Sequence, residues 1–78
     1  MTLREILLEY VKDKNEVTSQ ELLQHAVRSG YSPYTAYLEI RTLVLLGVLS
    51  PRMRTKKRVV IYKVNHEIIK KLGMEIRR

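Results

Sequence analysis

Several residue types that define whole classes of protein are missing or rare in this sequence. Its 78 residues include no cysteine, which excludes disulfide bonds and thiolate metal sites. Glycine and proline occur only three times and twice, and we find no repeat, low-complexity segment or linker. The apolar run at positions 43–46 is far too short to cross a membrane. Because the N-terminus also lacks a secretory signal pattern, we expect a cytoplasmic protein.

Sequence patterns that carry catalytic or metal chemistry are also absent. His25 and His66 have no carboxylate partner at ligand spacing, so we expect surface hydrogen bonding from them and no metal site. There is no Gly-rich phosphate loop, no carboxylate pair and no arrangement of nucleophile and base. A chain of this length also leaves little room for an enclosed pocket. We therefore expect no cofactor and no enzyme activity.

Positive charge is abundant, and it is concentrated in the second half of the chain. The formal net charge is +7. Residues 1–40 carry four basic and six acidic side chains, whereas residues 41–78 carry eleven basic and two acidic ones. A domain polarised in this way should present one strongly positive surface, which in a cytoplasmic protein favours a nucleic-acid partner.

Three helix starts are visible in the first half of the chain. Thr2 and Thr18 each precede a glutamate by three residues, which is the capping-box pattern. Ser32 is followed by Pro33, a residue favoured at the first helical position. Gly30 and Gly47 suit the left-handed residue that follows a helix. These signals predict helices over 2–14, 18–29 and 32–46.

Apolar spacing indicates which face of each helix covers the core. The predicted inward stripes are Leu3, Ile6, Leu7, Tyr10 and Val11 in the first helix, Leu22, Leu23, Ala26 and Val27 in the second, and Ala36, Ile40, Leu43 and Val44 in the third.

A β-hairpin over 48–64 is predicted to follow. Pro51 confines the first strand to an edge or a bend. The second strand alternates, with Val60, Tyr62 and Val64 on one face. Asn65 can cap a last helix over 65–73 or longer, so the chain is predicted to form one α+β, mainly helical domain over 1–78.

The order of these elements resembles a winged helix-turn-helix domain over nearly the whole chain. The most specific local likeness is Ser32-x-x-Thr35-Ala36-Tyr37, followed by Ile40-x-x-Leu43-x-x-Leu46-Gly47-Val48-Leu49. These residues are similar to the recognition helix and first wing strand of small bacterial and archaeal transcription regulators, including those of archaeal viruses and plasmids. Tyr62-x-Val64 takes the place of the return strand in that family.

The resemblance implies double-stranded DNA as the partner, with the third helix in the major groove and the hairpin, or wing, on the backbone or in the minor groove. The implied groove residues are Ser32, Tyr34, Thr35, Leu38, Arg41 and Thr42, with Tyr37 at the flank. Arg41 is the best base-reading candidate, since a guanidinium can bond two acceptors of guanine. The implied phosphate contacts of the wing are Arg52, Arg54, Lys56, Lys57 and Arg58.

Some of these residues also have simpler interpretations. A charged hairpin tip can serve only to prevent edge-to-edge sheet pairing, although one or two lysines would suffice. Tyr37 lies near the core side of the helical wheel and can pack there with its hydroxyl in water. Leu38 and Leu45 face outward, where a groove-binding helix usually carries polar residues. They can contact thymine methyl groups, pack beneath the wing, or form an association surface.

The function that these observations favour is a transcription regulator that binds a two-fold-related DNA site as a homodimer. The expected dimer surfaces are the exposed apolar residues of the first and last helices or residues 74–76. A protein-interaction module of a replication or chromatin complex, holding its partner through Leu38 and Leu45, is the rival. A non-specific architectural DNA binder is a third alternative.

Overall fold

The first helices begin where the capping residues predict. The computed structural model describes residues 2–76 of the chain, and their side chains through residue 72. Helix α1 spans Leu3–Val11, and the Thr2 hydroxyl accepts a hydrogen bond from the Glu5 amide at 3.2 Å. Helix α2 spans Ser19–Arg28, and Thr18 accepts from the Glu21 amide at 3.1 Å. The predicted starts are confirmed, whereas α1 ends three residues before the predicted position 14.

The third helix, α3, spans Pro33–Leu45, and the Ser32 hydroxyl accepts from the Thr35 amide at 3.2 Å. Gly30 and Gly47 end α2 and α3 with φ of 97° and 87°. After each helix, two amides turn back to carbonyls of the last turn, as in a Schellman motif. This backbone conformation is the one that glycine adopts without a steric penalty, so both predicted helix ends are confirmed.

A three-stranded antiparallel sheet follows the order β1-β3-β2, where β1 is Glu16–Thr18, β2 is Leu49–Arg54 and β3 is Val60–Val64. The predicted hairpin is confirmed as β2 and β3. A register shift between Pro51 and Met53 bends β2, which lies at the edge of the sheet. The sequence interpretation missed β1, because three residues are too few to establish an alternating pattern.

One apolar core joins the helices to the inner face of the sheet. Leu7, Leu22 and Leu43 are fully buried in α1, α2 and α3. Tyr62 and Val64 are buried and Val60 packs against the core, so these three residues share one face of β3 as predicted, and this face points inward. The prediction was wrong for Val27, which is 45% exposed because it lies on the last turn of α2, beyond the buried Leu22 and Ala26.

The last helix, α4, spans His66–Ile76 and therefore continues past Gly73, in agreement with the longer of the two predicted extents. Ile68, Ile69 and Leu72 pack against the core. Within residues 2–76 the chain is thus an α+β domain with four helices and one sheet. No helix of this part is both long enough and apolar enough to span a membrane.

Candidate nucleic-acid interface

The outer face of α3 is well exposed and carries large side chains. Tyr34 is 72% exposed, Tyr37 60% and Leu38 42%. Tyr37 therefore has more than half of its surface in solvent and is not part of the core. Leu45 is 78% exposed, so it does not pack beneath the hairpin, and its predicted outward position is confirmed. On the opposite side of α3, a salt bridge of 2.8 Å between Arg4 and Glu39 ties the helix to α1.

The serine and threonine hydroxyl groups at Ser32, Thr35 and Thr42 already have partners within this segment. The Ser32 hydroxyl, besides capping the helix, lies 2.9 Å from the Thr35 hydroxyl. Thr42 donates to the Leu38 carbonyl at 3.0 Å. A hydroxyl oxygen that donates in this way can still accept a hydrogen bond. Arg41 is exposed and has no ion pair with any described carboxylate, which leaves its guanidinium available to a ligand.

The turn that joins β2 to β3 has a defined geometry. The Arg58 amide donates to the Thr55 carbonyl at 3.0 Å, with Lys56 and Lys57 between them. Thr55 closes the turn twice, since its amide donates to the Val59 carbonyl at 2.8 Å and its hydroxyl accepts from the Val59 amide at 3.3 Å. Arg58 has φ of 63°, the only positive φ outside glycine in residues 2–76. The cations of this turn are therefore held on an ordered backbone.

The five basic residues predicted on the hairpin are all exposed. One of them is partly neutralised, because Arg52 lies 3.7 Å from Glu16 on β1. The remaining four have no salt bridge with a described carboxylate; they are Arg54, Lys56, Lys57 and Arg58. Packing therefore gives no reason for these four charges.

An open groove of about 840 Å³ separates α3 from the hairpin. It brings together five of the predicted site residues, which are Tyr37, Arg41, Arg52, Arg54 and Arg58. The other predicted residues lie outside its lining; they are Ser32, Tyr34, Thr35, Leu38, Thr42, Lys56 and Lys57. The groove thus joins the exposed face of α3 to the basic hairpin.

Ten residues of the groove were not anticipated as site residues, and three of these ten carry polar side-chain groups. Ser19 and Gln20 come from the start of α2, and the Ser19 hydroxyl accepts a hydrogen bond from the Val60 amide at 3.1 Å. This bond connects α2 to the end of the hairpin, and its 41-residue separation leaves no local sequence signal. Tyr62, predicted only as a residue of the second hairpin strand, also lines the groove.

Tyr62 is 8% exposed, and its environment favours the neutral phenol. Burial raises the pKa of the Tyr62 hydroxyl above its ordinary value, and the nearby Tyr37 hydroxyl raises that pKa further. Arg54 acts in the opposite direction, because its positive charge lowers the pKa of the phenol. The guanidinium of Arg54 and the two tyrosine hydroxyls therefore share one region of the groove.

The two histidines lie elsewhere. His25 stacks on Tyr10 with ring centroids 4.4 Å apart. The His66 Nε2 lies 3.3 Å from the Asn15 side-chain oxygen, a polar contact at the start of α4. In the part of the chain that the structure describes, no group of three or more His, Cys, Asp or Glu residues is placed to hold a metal ion.

Comparison with protein families, with characterised proteins and with solved structures finds no match to this chain. Any functional assignment must therefore come from the residues and their geometry.

Proposed function

We propose that this protein is a winged helix-turn-helix transcription regulator that binds double-stranded DNA. In this proposal α2 and α3 form the helix-turn-helix, and β2 and β3 form the wing. The observation that carries the proposal is that Arg41 of α3 and the arginines of the hairpin border one groove. A helix and a basic loop on one surface can contact the bases and the backbone of the same duplex.

In the proposed complex, α3 lies in the major groove. Its 13 residues give a length of about 20 Å, and a helix of ordinary diameter fits the groove's width of about 12 Å. Arg41 reads guanine, while Tyr34 and Leu38 contact neighbouring base edges or thymine methyl groups. Support for this orientation comes from the exposure of all three side chains.

The wing follows the phosphate backbone. Its four unpaired cations make the main phosphate contacts, and Arg52 can leave its exposed pair with Glu16 at small cost. If four or five charges meet phosphates, the logarithm of affinity falls by roughly 4 per decade of salt for each monomer. The strained backbone of Arg58 supports a role for this side chain, because such positions cluster at functional sites.

Two copies of the chain are proposed to act on a two-fold-related site. A single domain offers a small interface with DNA, and two half-sites a helical turn apart supply the remaining specificity. The expected dimer surface on α1 is not supported, because none of the exposed large apolar residues belongs to that helix. Residues 74–76 lie beyond the described side chains. Val27 and Leu46, at 45% and 40% exposure, are the alternative surfaces that the structure offers.

The decisive experiment is selection of bound duplexes from a random pool, followed by titration of the winners and of random duplexes. Arg41→Ala should abolish sequence preference and weaken binding to selected duplexes by about tenfold or more. Replacement of Lys56 and Lys57 by alanine should weaken binding to all duplexes and flatten the salt dependence by about 2 logarithmic units per decade.

Lys12→Ala removes one charge at the residue that follows α1, away from the groove, and is the matched control for Arg41→Ala. No binding to any duplex by the wild-type protein would refute the proposal. If the wild-type protein binds all duplexes equally, and only the Lys56 and Lys57 replacement weakens this binding, the protein has a non-specific architectural role instead. A winning duplex with two-fold symmetry is expected, and a gel-filtration mass of one chain at high concentration would remove the dimer.

A second function is favoured by the two exposed leucines on α3. Leu38 and Leu45 present apolar surface at 42% and 78% exposure, and DNA contact does not require both of them. A protein-interaction module of a replication or chromatin complex would use this surface to hold a partner helix. Leu45→Ser separates the two functions, because it should leave DNA affinity within about twofold and should abolish partner binding.

A further inference from the structure

The groove between α3 and the hairpin has an apolar floor that phosphate contact does not require. Ile40 is only 6% exposed, and Leu23, Val44 and Val60 are partly buried against the core. These side chains come from α2, α3 and β3, so the floor exists only in the folded domain. The volume of about 840 Å³ is typical of a site for a small organic molecule.

The rim of this groove is cationic. Arg41 borders it from α3, and Arg54 and Arg58 border it from the hairpin; none of the three has a salt bridge with a described carboxylate. No acidic side chain occurs among the described residues that line the groove. A guanidinium binds a carboxylate through two parallel hydrogen bonds, so this rim is complementary to an organic anion.

Two phenol groups add hydrogen-bond donors between the floor and the rim. The Tyr37 hydroxyl lies close enough to the Tyr62 hydroxyl to raise its pKa, and no described residue is hydrogen-bonded to either group. Every buried side-chain oxygen in the described part of the chain has a hydrogen-bond partner. Because the Tyr62 hydroxyl has none, it is not fully buried and reaches solvent on the groove side. A phenol that is neutral at physiological pH can donate to a carboxylate.

We propose that this groove binds an amphipathic organic anion, composed of an aromatic body and one carboxylate, and that its occupation displaces DNA. The aromatic body lies on the apolar floor, and the carboxylate contacts Arg54 and the Tyr62 hydroxyl. Binding of the anion follows from the groove alone. Displacement rests on the proposed function, because Arg41, Arg54 and Arg58 would serve both the carboxylate and the DNA.

The binding step is tested on the full chain without DNA, using 2-naphthoate as the probe and amide chemical shifts as the measurement. Saturable shifts are expected around Gln20, Leu23 and Val44. The neutral 2-naphthylmethanol should bind about tenfold more weakly, since it lacks the charge-assisted hydrogen bonds. Arg54→Gln should weaken 2-naphthoate by about tenfold. Lys12→Gln, which removes a charge at the residue that follows α1, should leave the affinity unchanged.

Three results would overturn the groove site. The first is no saturable shift, and the second is equal affinity for 2-naphthoate and the neutral alcohol, which would reduce the groove to an apolar patch. The third is that the same amides shift with protein concentration alone, because a second copy of the chain would then cover the groove.

Displacement is tested with a labelled duplex at constant ionic strength. Saturating 2-naphthoate should raise the apparent Kd of the duplex by about tenfold, whereas 2-naphthylmethanol should not. If 2-naphthoate binds without weakening the duplex, displacement is refuted and the groove site stands. If the wild-type protein binds no duplex, the proposed function and displacement both fail, and the shift titration still decides the groove site.

Discussion

Arg58 should separate the stability of the hairpin from its proposed binding function. Its φ of 63° lies in the left-handed region, which costs an ordinary L-residue about 1–2 kcal/mol and costs asparagine less. Nothing in the turn requires the arginine side chain for folding, because the hydrogen bonds that close it involve only backbone groups and the Thr55 hydroxyl. We therefore expect Arg58→Asn to stabilise the protein and to weaken DNA binding.

The magnitudes follow from the backbone and the charge. Relief of part of the strain should raise the free energy of unfolding by about 0.5–1 kcal/mol. For a domain of this size, the gain corresponds to a Tm increase of roughly 2–8 °C, measured by thermal unfolding. Loss of one phosphate contact should make the salt dependence of duplex affinity less steep by about 1 logarithmic unit per decade.

Arg58→Gln is the matched control at the same position. It removes the same charge, but glutamine adopts the left-handed conformation less readily than asparagine does. This variant should therefore make the salt dependence of duplex affinity less steep without stabilising the fold. Equal Tm values for the Asn and Gln variants would refute the strain argument. An unchanged salt dependence in both variants would refute the phosphate contact of Arg58.

Other perturbations probe the fold that supports the site. Gly47→Ala should lower the free energy of unfolding in urea by about 1–2 kcal/mol, because φ at this position is 87°. The new Cβ adds no clash, since it would meet only Ile68 at 3.8 Å, and a loss below about 0.3 kcal/mol would contradict the strain argument. Leu22→Ala should cost about 2–5 kcal/mol, since Leu22 is fully buried, and an unchanged Tm would contradict the core assignment. The raised pKa of Tyr62 means that the folded state holds the phenol proton more tightly than the unfolded state does. The stability that protonated Tyr62 contributes is therefore complete below pH 10 and declines as pH rises through the folded-state pKa. In urea unfolding, Tyr62→Phe should therefore lose less stability than the wild type between pH 9 and pH 11. Identical losses in the two proteins would refute the raised pKa of Tyr62.

The elements that could be predicted are those whose signals are local in the chain. The hydroxyls of Thr2, Thr18 and Ser32 each cap a helix through an amide three residues away, so the helix starts can be identified from short segments. Gly30 and Gly47 mark helix ends for the same reason. The five cations of the hairpin could also be predicted as exposed, because charged side chains at a turn have no apolar partner.

The sequence by itself therefore determined the helices, the hairpin and the concentration of positive charge in the second half of the chain. Each of these features depends on residues that are close together in the sequence. Only the tertiary structure placed β1 beside β3, exposed Val27 and Tyr37, and set Tyr62 in the same groove as Arg54. These features depend on contacts between segments far apart in the chain, such as the hydrogen bond from Val60 to Ser19. Periodicity and spacing carry no information about which distant segments will meet, so the groove could not be deduced from them.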